Sequence, residues 1–258
     1  MRHVEDLRDF HKGKEIWILG SGASLCDYPL DFFDGKISIT LNWTIVAFPR
    51  CTYWHGFHEP EREYLRDEHP EFLPKSIILY PFPGPFHHQK TRDPKEFFGK
   101  LVSQPIFMKF LDTRPHASKA DFEGVIKHIA EKTTPQGYRA SGTITHTAIQ
   151  VAAILGAKRI TLVGCEGRGP HAQCYGMKER YPRMDGPGVP LTENGIRWQA
   201  EALARYGTEV IRYFNKDCLF GEKGYKKIPW KEVKTNKELP ATGGSINGGA
   251  PKRKNEIN

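Results

Sequence analysis

The chain has 258 residues, with 38 lysines and arginines against 30 acidic residues and a formal net charge of +8. This length suffices for one sizeable hydrophobic core. Because no apolar run is long enough to span a membrane, we do not expect an integral membrane protein. The positive charge predicts an anionic partner: a nucleotide, a nucleic acid or an anionic surface. We therefore expect a cytoplasmic protein, with peripheral contact at a membrane left open.

Buried apolar runs alternate with helical patterns along the chain, which is typical of an α/β protein. Strands are expected at 14–19, 36–41, 52–57, 76–80, 106–110, 158–163 and 210–214, and helices at 3–12, 121–131, 144–155 and from 192 onward. The predicted fold class is α/β and Rossmann-like: a mainly parallel open sheet with helices on both faces.

Two segments depart from this regular pattern. Residues 81–134 are rich in proline and weakly periodic, which fits a lid-like insertion over a ligand site or an ordinary irregular excursion. Residues 236–258 are polar, basic and glycine-rich, so they predict a disordered tail that contacts an anionic surface or nucleic acid or is simply solvated. We expect a single nucleotide-binding domain over 1–235 and this tail at 236–258.

Five cysteines are scattered along the chain: Cys26, Cys51, Cys165, Cys174 and Cys218. Their odd number and wide spacing are untypical of a disulfide framework. The sequence also lacks a Cys-x-x-Cys pair, which disfavours a structural zinc site near His171. We expect reduced thiols and predict no metal site.

The first strand ends in a glycine turn that is typical of phosphate binding. Gly20 and Gly22 permit positive φ and close approach of a ligand to the backbone, and Ser21 and Ser24 supply hydroxyl groups. The third glycine of a dinucleotide fingerprint is absent, since Leu25 occupies its place. The turn therefore predicts an anion site, with an ordinary strand-to-helix turn as the alternative.

Polar residues follow the other strands as well. Asn42 and Glu59 come after the second and third strands, and carboxyl ends of parallel strands meet in one crevice. Ser141 and Thr143 precede a strong helix pattern, and Arg139 just before them offers a guanidinium for phosphate. Ser141 is also explained as a helix cap.

Candidate acids and bases lie in the last third of the chain. His171 follows a strand end and titrates near neutral pH, which suits a general base. Glu166 is placed to orient a sugar hydroxyl or bind a cation, and Glu193 is either a base or a helix-start residue.

The order of these motifs resembles the bacterial CMP-sialic-acid-dependent sialyltransferases and the related domain family of the archaeal 6-hydroxymethylpterin diphosphokinase. The resemblance rests on ILGSGASL at 18–25, LN at 41–42, GFHEP at 56–60, SG at 141–142, LG at 155–156 and ITLVGCE at 160–166. It covers roughly residues 14–214, and it implies a Rossmann-like sheet that holds a nucleotide phosphate at the first glycine turn.

The resemblance also implies residue roles. Gly20, Ser21, Gly22 and Ser24 would contact the nucleotide phosphate, Asn42 would bind the donor, and Ser141 with Gly142 would contact the nucleotide. Glu166 stands where these families keep an aspartate. Glu59 replaces an asparagine of the sialyltransferases, Arg168 replaces a tyrosine that helps the phosphate leave, and their base histidine has no counterpart near Thr192, which disfavours sialic acid as the donated sugar.

We therefore expect a glycosyltransferase that binds a nucleotide-activated sugar and transfers the sugar to an acceptor hydroxyl. Arg139 or Arg168 would assist the departing phosphate, and His171 or Glu193 would accept the proton. One alternative is an ATP-dependent diphosphokinase acting on a small alcohol, with Mg²⁺ on Glu59 and Glu166. Another is a non-catalytic module that binds nucleic acid or an anionic surface.

Overall fold

The computed structural model describes residues 2–48, 50–56, 67, 77–81, 106–108, 110–112, 117–140, 143–165, 189–213 and 226–228. The strands within these residues are β1 (Arg2–His3), β2 (Glu15–Leu19), β3 (Ser38–Leu41), β4 (Tyr53–His55), β5 (Ile77–Pro81), β6 (Ile106–Met108), β7 (Phe110–Asp112), β8 (Tyr138–Ala140), β9 (Arg159–Val163), β10 (Glu209–Tyr213) and β11 (Lys226–Ile228).

Nine of the described strands form one sheet in the order β1-β6-β5-β4-β3-β2-β9-β10-β11. All neighbouring pairs in this sheet are parallel, so their carboxyl ends share one edge, called here the carboxyl edge. A second, two-stranded parallel sheet pairs β7 with β8. The parallel sheet confirms the α/β prediction.

Three α-helices are described: α1 (Lys119–Ala130), α2 (Thr145–Ile154) and α3 (Val189–Ala204). In α1, Phe122, Val125, Ile126 and Ile129 are buried, and this spacing defines one apolar stripe. Ser118 begins α1 with a capping box, because its hydroxyl accepts from Asp121 N–H while the Asp121 carboxylate accepts from Ser118 N–H. Helix α2 is buried almost throughout, since it covers the middle of the sheet.

One face of the sheet, called here the helix face, packs against α2 and α3, and α1 packs against these two helices and β8. Strand side chains alternate between faces, and Ile16, Ile18, Ile160 and Leu162 point to this one. They form a mainly aliphatic core with residues of α2 and α3 such as Ile149, Ile196 and Leu203. The helices expected at 121–131, 144–155 and from 192 onward are therefore found on this face.

The opposite face, called here the aromatic face, carries Trp17, Leu19 and Val163. Its described cover consists of 3₁₀ helices at Ala23–Asp27 and Leu30–Phe33, together with Phe48 after a third at Asn42–Val46. Rings from these turns pack edge-on around Trp17, with centroid distances of 5.6 Å to Phe32 and to Phe33. In the described part of the chain this face thus has 3₁₀ helices where α-helices were expected.

The prediction of an amino-terminal helix at 3–12 is wrong. The chain forms a 3₁₀ helix at Val4–Leu7 only, and the Phe10 side chain is 68% exposed. After that turn the backbone bonds to the end of α2 instead: Asp9 N–H donates to the Ile154 carbonyl and His11 N–H to the Leu155 carbonyl. These tertiary bonds take the place of the helical ones.

The state of the cysteines also differs in part from the prediction. Cys51 and Cys165 are free and buried, but Cys26 is disulfide-bonded, so the prediction of reduced thiols is wrong for Cys26. Cys174, Cys218, most of the 81–134 insertion and the 236–258 tail lie outside the described residues. Among the helices that the structure describes, none combines the length and apolar character needed to cross a bilayer.

Candidate functional site

The strand order reverses between β2 and β9. From β2 the chain moves outward through β3, β4, β5 and β6, and it later returns to place β9 on the other side of β2. In open α/β sheets such a reversal leaves a crevice beyond the carboxyl ends of the two strands, where ligands bind. The glycine turn after Leu19 and the turn after Val163 border this crevice.

The two turns are bound to each other. Gly20 N–H donates to the Val163 carbonyl at 2.8 Å, and Gly22 N–H donates to the Gly164 carbonyl at 2.7 Å. A Cβ on Gly20 would overlap the Gly164 carbonyl oxygen, and a Cβ on Gly164 would overlap the Gly20 carbonyl oxygen. Close approach of the two backbones therefore requires glycine at both positions.

This arrangement corrects how the first glycine turn was expected to work. Gly22 has φ −77°, and Gly20 is likewise outside the left-handed region, so neither uses positive φ. Their N–H groups bond to the β9 side of the crevice and are not directed to a phosphate. Gly164, with φ +67°, is the glycine of this pair of turns that needs positive φ.

Ser24 is an internal group in this structure. Its side chain is buried, and its hydroxyl oxygen accepts a 2.8 Å hydrogen bond from Gly164 N–H. Ser24 therefore helps to hold the two turns together, and its contact with a phosphate stays a prediction. Ser21 lies between the two glycines, half-buried at the crevice.

Asn42 follows β3 at the carboxyl edge with φ +48°, a left-handed conformation that asparagine tolerates better than most residues. Its carbonyl oxygen accepts a 2.9 Å hydrogen bond from the indole N–H of Trp54. The Trp54 ring covers Gly56, where a Cβ would overlap it. The ends of β3 and β4 are thus fixed relative to each other, with Asn42 at the edge.

Helix α2 begins at the same edge with a set of buried polar side chains. Thr143, a predicted nucleotide contact, accepts with its Oγ1 from Thr145 N–H at 3.3 Å, so its hydroxyl binds the first N–H of α2. His55, at the end of β4, lies 2.8 Å from the Thr147 hydroxyl through Nε2. Because that hydroxyl donates to the Ile144 carbonyl, His55 Nε2 is the donor in this pair.

Arg139 is held just before α2. Gln150 accepts from Arg139 N–H at 3.0 Å and donates to the Arg139 carbonyl at 2.8 Å. The Arg139 guanidinium lies 3.9 Å from Asp121, its side chain is 19% exposed, and its buried Nε has no hydrogen-bond partner among the described residues. Hydrogen bonds from Ser118 hold the pKa of Asp121 below its usual range, with a further contribution from Arg139. Arg139 is thus a mostly buried cation with one loosely placed carboxylate.

Glu193 does not have the surroundings of a general base. Both of its carboxylate oxygens bond to the guanidinium of fully buried Arg212, at 2.8 and 2.9 Å. Taking up a proton would disrupt a bidentate charge-assisted pair. In this structure Glu193 therefore links α3 to β10, and its catalytic role stays a prediction.

The remaining predicted site residues lie outside the described residues. These are Glu59, Ser141, Gly142, Glu166, Arg168 and His171. Within the part of the chain that the structure describes, no group of three or more His, Cys, Asp or Glu side chains is placed to hold a metal ion.

Sequence reasoning missed several residues that shape the site: Gly164, His55, Gln150 and Arg212. Two of them leave a signal in the sequence. Gln150 interrupts the apolar face of the α2 pattern, and Arg212 occupies an inward position of β10, two residues after Val210. A buried polar residue in an apolar pattern indicates a specific partner.

The chain was compared with family models, curated proteins and solved structures, and it matches none of them. The motif resemblance to the sialyltransferases and the pterin diphosphokinases thus stays a prediction.

Proposed function

We propose that the chain binds a nucleotide-activated sugar at the crevice between β2 and β9 and transfers the sugar to an acceptor hydroxyl. The observation that supports this most is the reversal of strand order at two glycine turns, because such a crevice is the usual ligand site of an open parallel sheet. In this proposal the chain belongs to the Rossmann-like superfamily, a nucleotide-sugar is its co-substrate, and no metal takes part.

Charge supports an anionic ligand. The amino end of α2 adds a partial positive charge at the carboxyl edge, and Arg139 is four residues before Thr143 in the chain. In our proposal Arg139 pairs with the phosphate as the sugar–phosphate bond breaks, and the Asp121 carboxylate balances the guanidinium when the ligand is absent. Electrostatic stabilisation of a departing phosphate is commonly the largest catalytic contribution.

The proposed proton acceptor is His171, since Glu193 is paired with Arg212. Asn42 is proposed to contact the donor from the neighbouring strand end. Gly20, Gly22 and Ser24 act in the proposal by shaping the crevice, while Ser21, Ser141 and Gly142 keep their predicted contacts with the nucleotide. Glu59, Glu166 and Arg168 are proposed to line the same edge.

A thermal-shift panel tests the nucleotide. CMP, UDP, GDP and ATP are each added with and without Mg²⁺, and binding to the folded state raises the melting temperature. We expect stabilisation by one pyrimidine or guanine nucleotide without Mg²⁺. Stabilisation by ATP with Mg²⁺ alone would instead support the diphosphokinase alternative, and no stabilisation by any of them would reject nucleotide binding.

Two arginine variants make this test specific. Arg139→Met should weaken nucleotide binding, whereas Arg159→Met should not, because Arg159 pairs with Glu209 at the opposite, amino-terminal edge of the sheet. Equal affinities of the two variants would exclude Arg139 from the site.

Mass spectrometry of a mixed nucleotide-sugar pool incubated with the protein then reports which donor is consumed.

A further inference from the structure

Two buried glutamines connect the segment before α2 to both packed helices. Gln150 on α2 and Gln199 on α3 are fully buried. Gln150 Nε2 donates to Gln199 Oε1 at 2.9 Å, and Gln199 Nε2 donates to the Gly195 carbonyl at 3.2 Å. Together with its two bonds to Arg139, Gln150 therefore has its oxygen and both of its amide hydrogens engaged.

The Gln150 amide has the arrangement of donor and acceptor that a peptide group would present. Strand β8 pairs with β7, and Gln150 supplies bonds to the N–H and carbonyl of Arg139 as a further strand would. Leucine or methionine would leave both backbone groups without these partners, and glutamate would lose both donors. A carboxamide of this length is what the position requires.

The residue held in this way carries the mostly buried guanidinium. Arg139 lies at the middle of the three-residue strand β8, and the Asp121 carboxylate lies 3.9 Å from its guanidinium. Because that ion pair is long, the backbone bonds to Gln150 constrain the position of Arg139 more than the Asp121 carboxylate does. Gln199 in turn fixes the Gln150 amide against α3.

We propose that Gln150 is a positioning residue, which, supported by Gln199, holds Arg139 in place for the anionic ligand. This inference rests on the proposed function, because it assumes that Arg139 meets a nucleotide phosphate. It adds Gln150, which does not contact that ligand and acts through its two hydrogen bonds to the Arg139 backbone, called here the backbone clamp. Loss of the clamp should weaken ligand binding beyond any general loss of stability.

The test compares three variants by calorimetric titration with CMP, UDP and GDP. Gln150→Leu should raise the dissociation constant at least tenfold for the nucleotide that wild type binds. Gln199→Leu should raise it only two- to threefold, since both Arg139 bonds remain. Ile154→Ala, at the far end of the same helix, should destabilise the fold through a cavity and leave the affinity unchanged.

A double variant separates positioning from general damage. If Gln150 acts through Arg139, Gln150→Leu combined with Arg139→Met should bind no more weakly than Arg139→Met alone, because neighbouring sites on one path are not additive. Additive losses would overturn the inference. Should Gln150→Leu fail to fold, Gln150→Glu serves in the same cycle, as it keeps the volume and the acceptor oxygen.

Hydrogen exchange at the Arg139 amide supplies a readout that needs no ligand. Exchange should accelerate in Gln150→Leu by more than its loss of stability explains, whereas any acceleration in Ile154→Ala should match that variant's loss of stability. Faster exchange with unchanged nucleotide affinity would overturn the positioning role and leave the proposed function standing. If wild type binds none of the three nucleotides, the proposed function fails and the inference fails with it, whatever the exchange rates show.

Discussion

On the helix face, aliphatic side chains such as Ile18 and Leu162 pack beneath three α-helices, whereas on the aromatic face Trp17 and its neighbours pack beneath 3₁₀ helices of four or five residues. An α-helix satisfies its own backbone and presents a continuous apolar stripe. A short 3₁₀ helix covers little area, so each of its residues must bury more surface. Aromatic rings do this, and they account for the edge-on ring contacts around Trp17.

The two faces also differ in the polar groups they bury. On the helix face, side chains of α2 and α3 make bonds to other elements, as in His55–Thr147, Gln150–Gln199 and Arg212–Glu193. On the aromatic face, the buried hydroxyls of Thr40 and Thr161 donate to Cys51 Sγ and to the Glu15 carboxylate. The half-buried Lys36 has its ammonium 4.4 Å from the Phe32 ring centroid. The comparison teaches that the side chains which shape the candidate site come chiefly from the helix face, while the aromatic face mainly supports the first glycine turn.

The largest expected effect is at the glycine contact where the two faces meet the carboxyl edge. Gly164→Ala combines positive φ, which costs about 1–2 kcal/mol, with overlap of the Gly20 carbonyl, and overpacking costs about 1–3 kcal/mol. Gly207→Ala has the same kind of φ, +82°, but open space around it, so only the first cost applies. Urea unfolding measures both. Equal losses would show that the turns can move apart.

A loss of comparable size is expected on the helix face from Arg212→Met. It leaves the Glu193 carboxylate, mostly buried, without its bidentate partner, and breaking such a pair costs about 3 kcal/mol or more. Arg212→Met combined with Glu193→Leu should recover much of the stability, because neither variant side chain carries a charge. If the double variant were no more stable than the single one, the packing of the arginine stem rather than its charge would explain the loss.

What could be read from the sequence differs between the faces. Apolar runs predicted β2, β3 and β9, and the helix predicted at 121–131 overlaps α1, because strand and helix periods are local properties. The 3₁₀ helices have no comparable period. Val4, Leu7 and Phe10 fit a helix in spacing, yet tertiary hydrogen bonds to the end of α2 stop it after one turn.

The candidate site was readable only in part. Sequence placed the glycine turn and Asn42 at strand ends, and the structure agrees with these positions. It could not show that Gly20 faces Gly164, since that contact depends on β9 returning beside β2. Gln150 and Arg139 are eleven residues apart and meet only because β8 leads into α2. Contacts between residues that the topology brings together can be identified only once the fold is known.

On the aromatic face, Trp17→Leu should destabilise the protein by about 2 kcal/mol, because it removes ring contacts with Phe32 and Phe33 that are each worth about 0.5–1.5 kcal/mol beyond buried area. Trp198→Leu is the matched change on the helix side, where the half-buried ring has a tilted contact with Phe122 at 6.2 Å. Its loss should be smaller. A larger loss for Trp198 would mean that area, rather than ring geometry, dominates.

The smallest expected effect is a pH dependence at the amino end of the helix face. Burial lowers the pKa of His11 below its ordinary value of 6.5, and His11 Nε2 lies 2.8 Å from the Tyr53 hydroxyl. Below pH 6.5 the unfolded chain protonates this histidine before the folded chain does, so stability present above that pH is lost as the pH falls through the folded pKa. His11→Gln should therefore flatten the fall in unfolding free energy between neutral and mildly acidic pH. Tyr53→Phe should leave that slope in place, since burial and not the hydroxyl is the main cause, and identical slopes for wild type and His11→Gln would contradict the assignment.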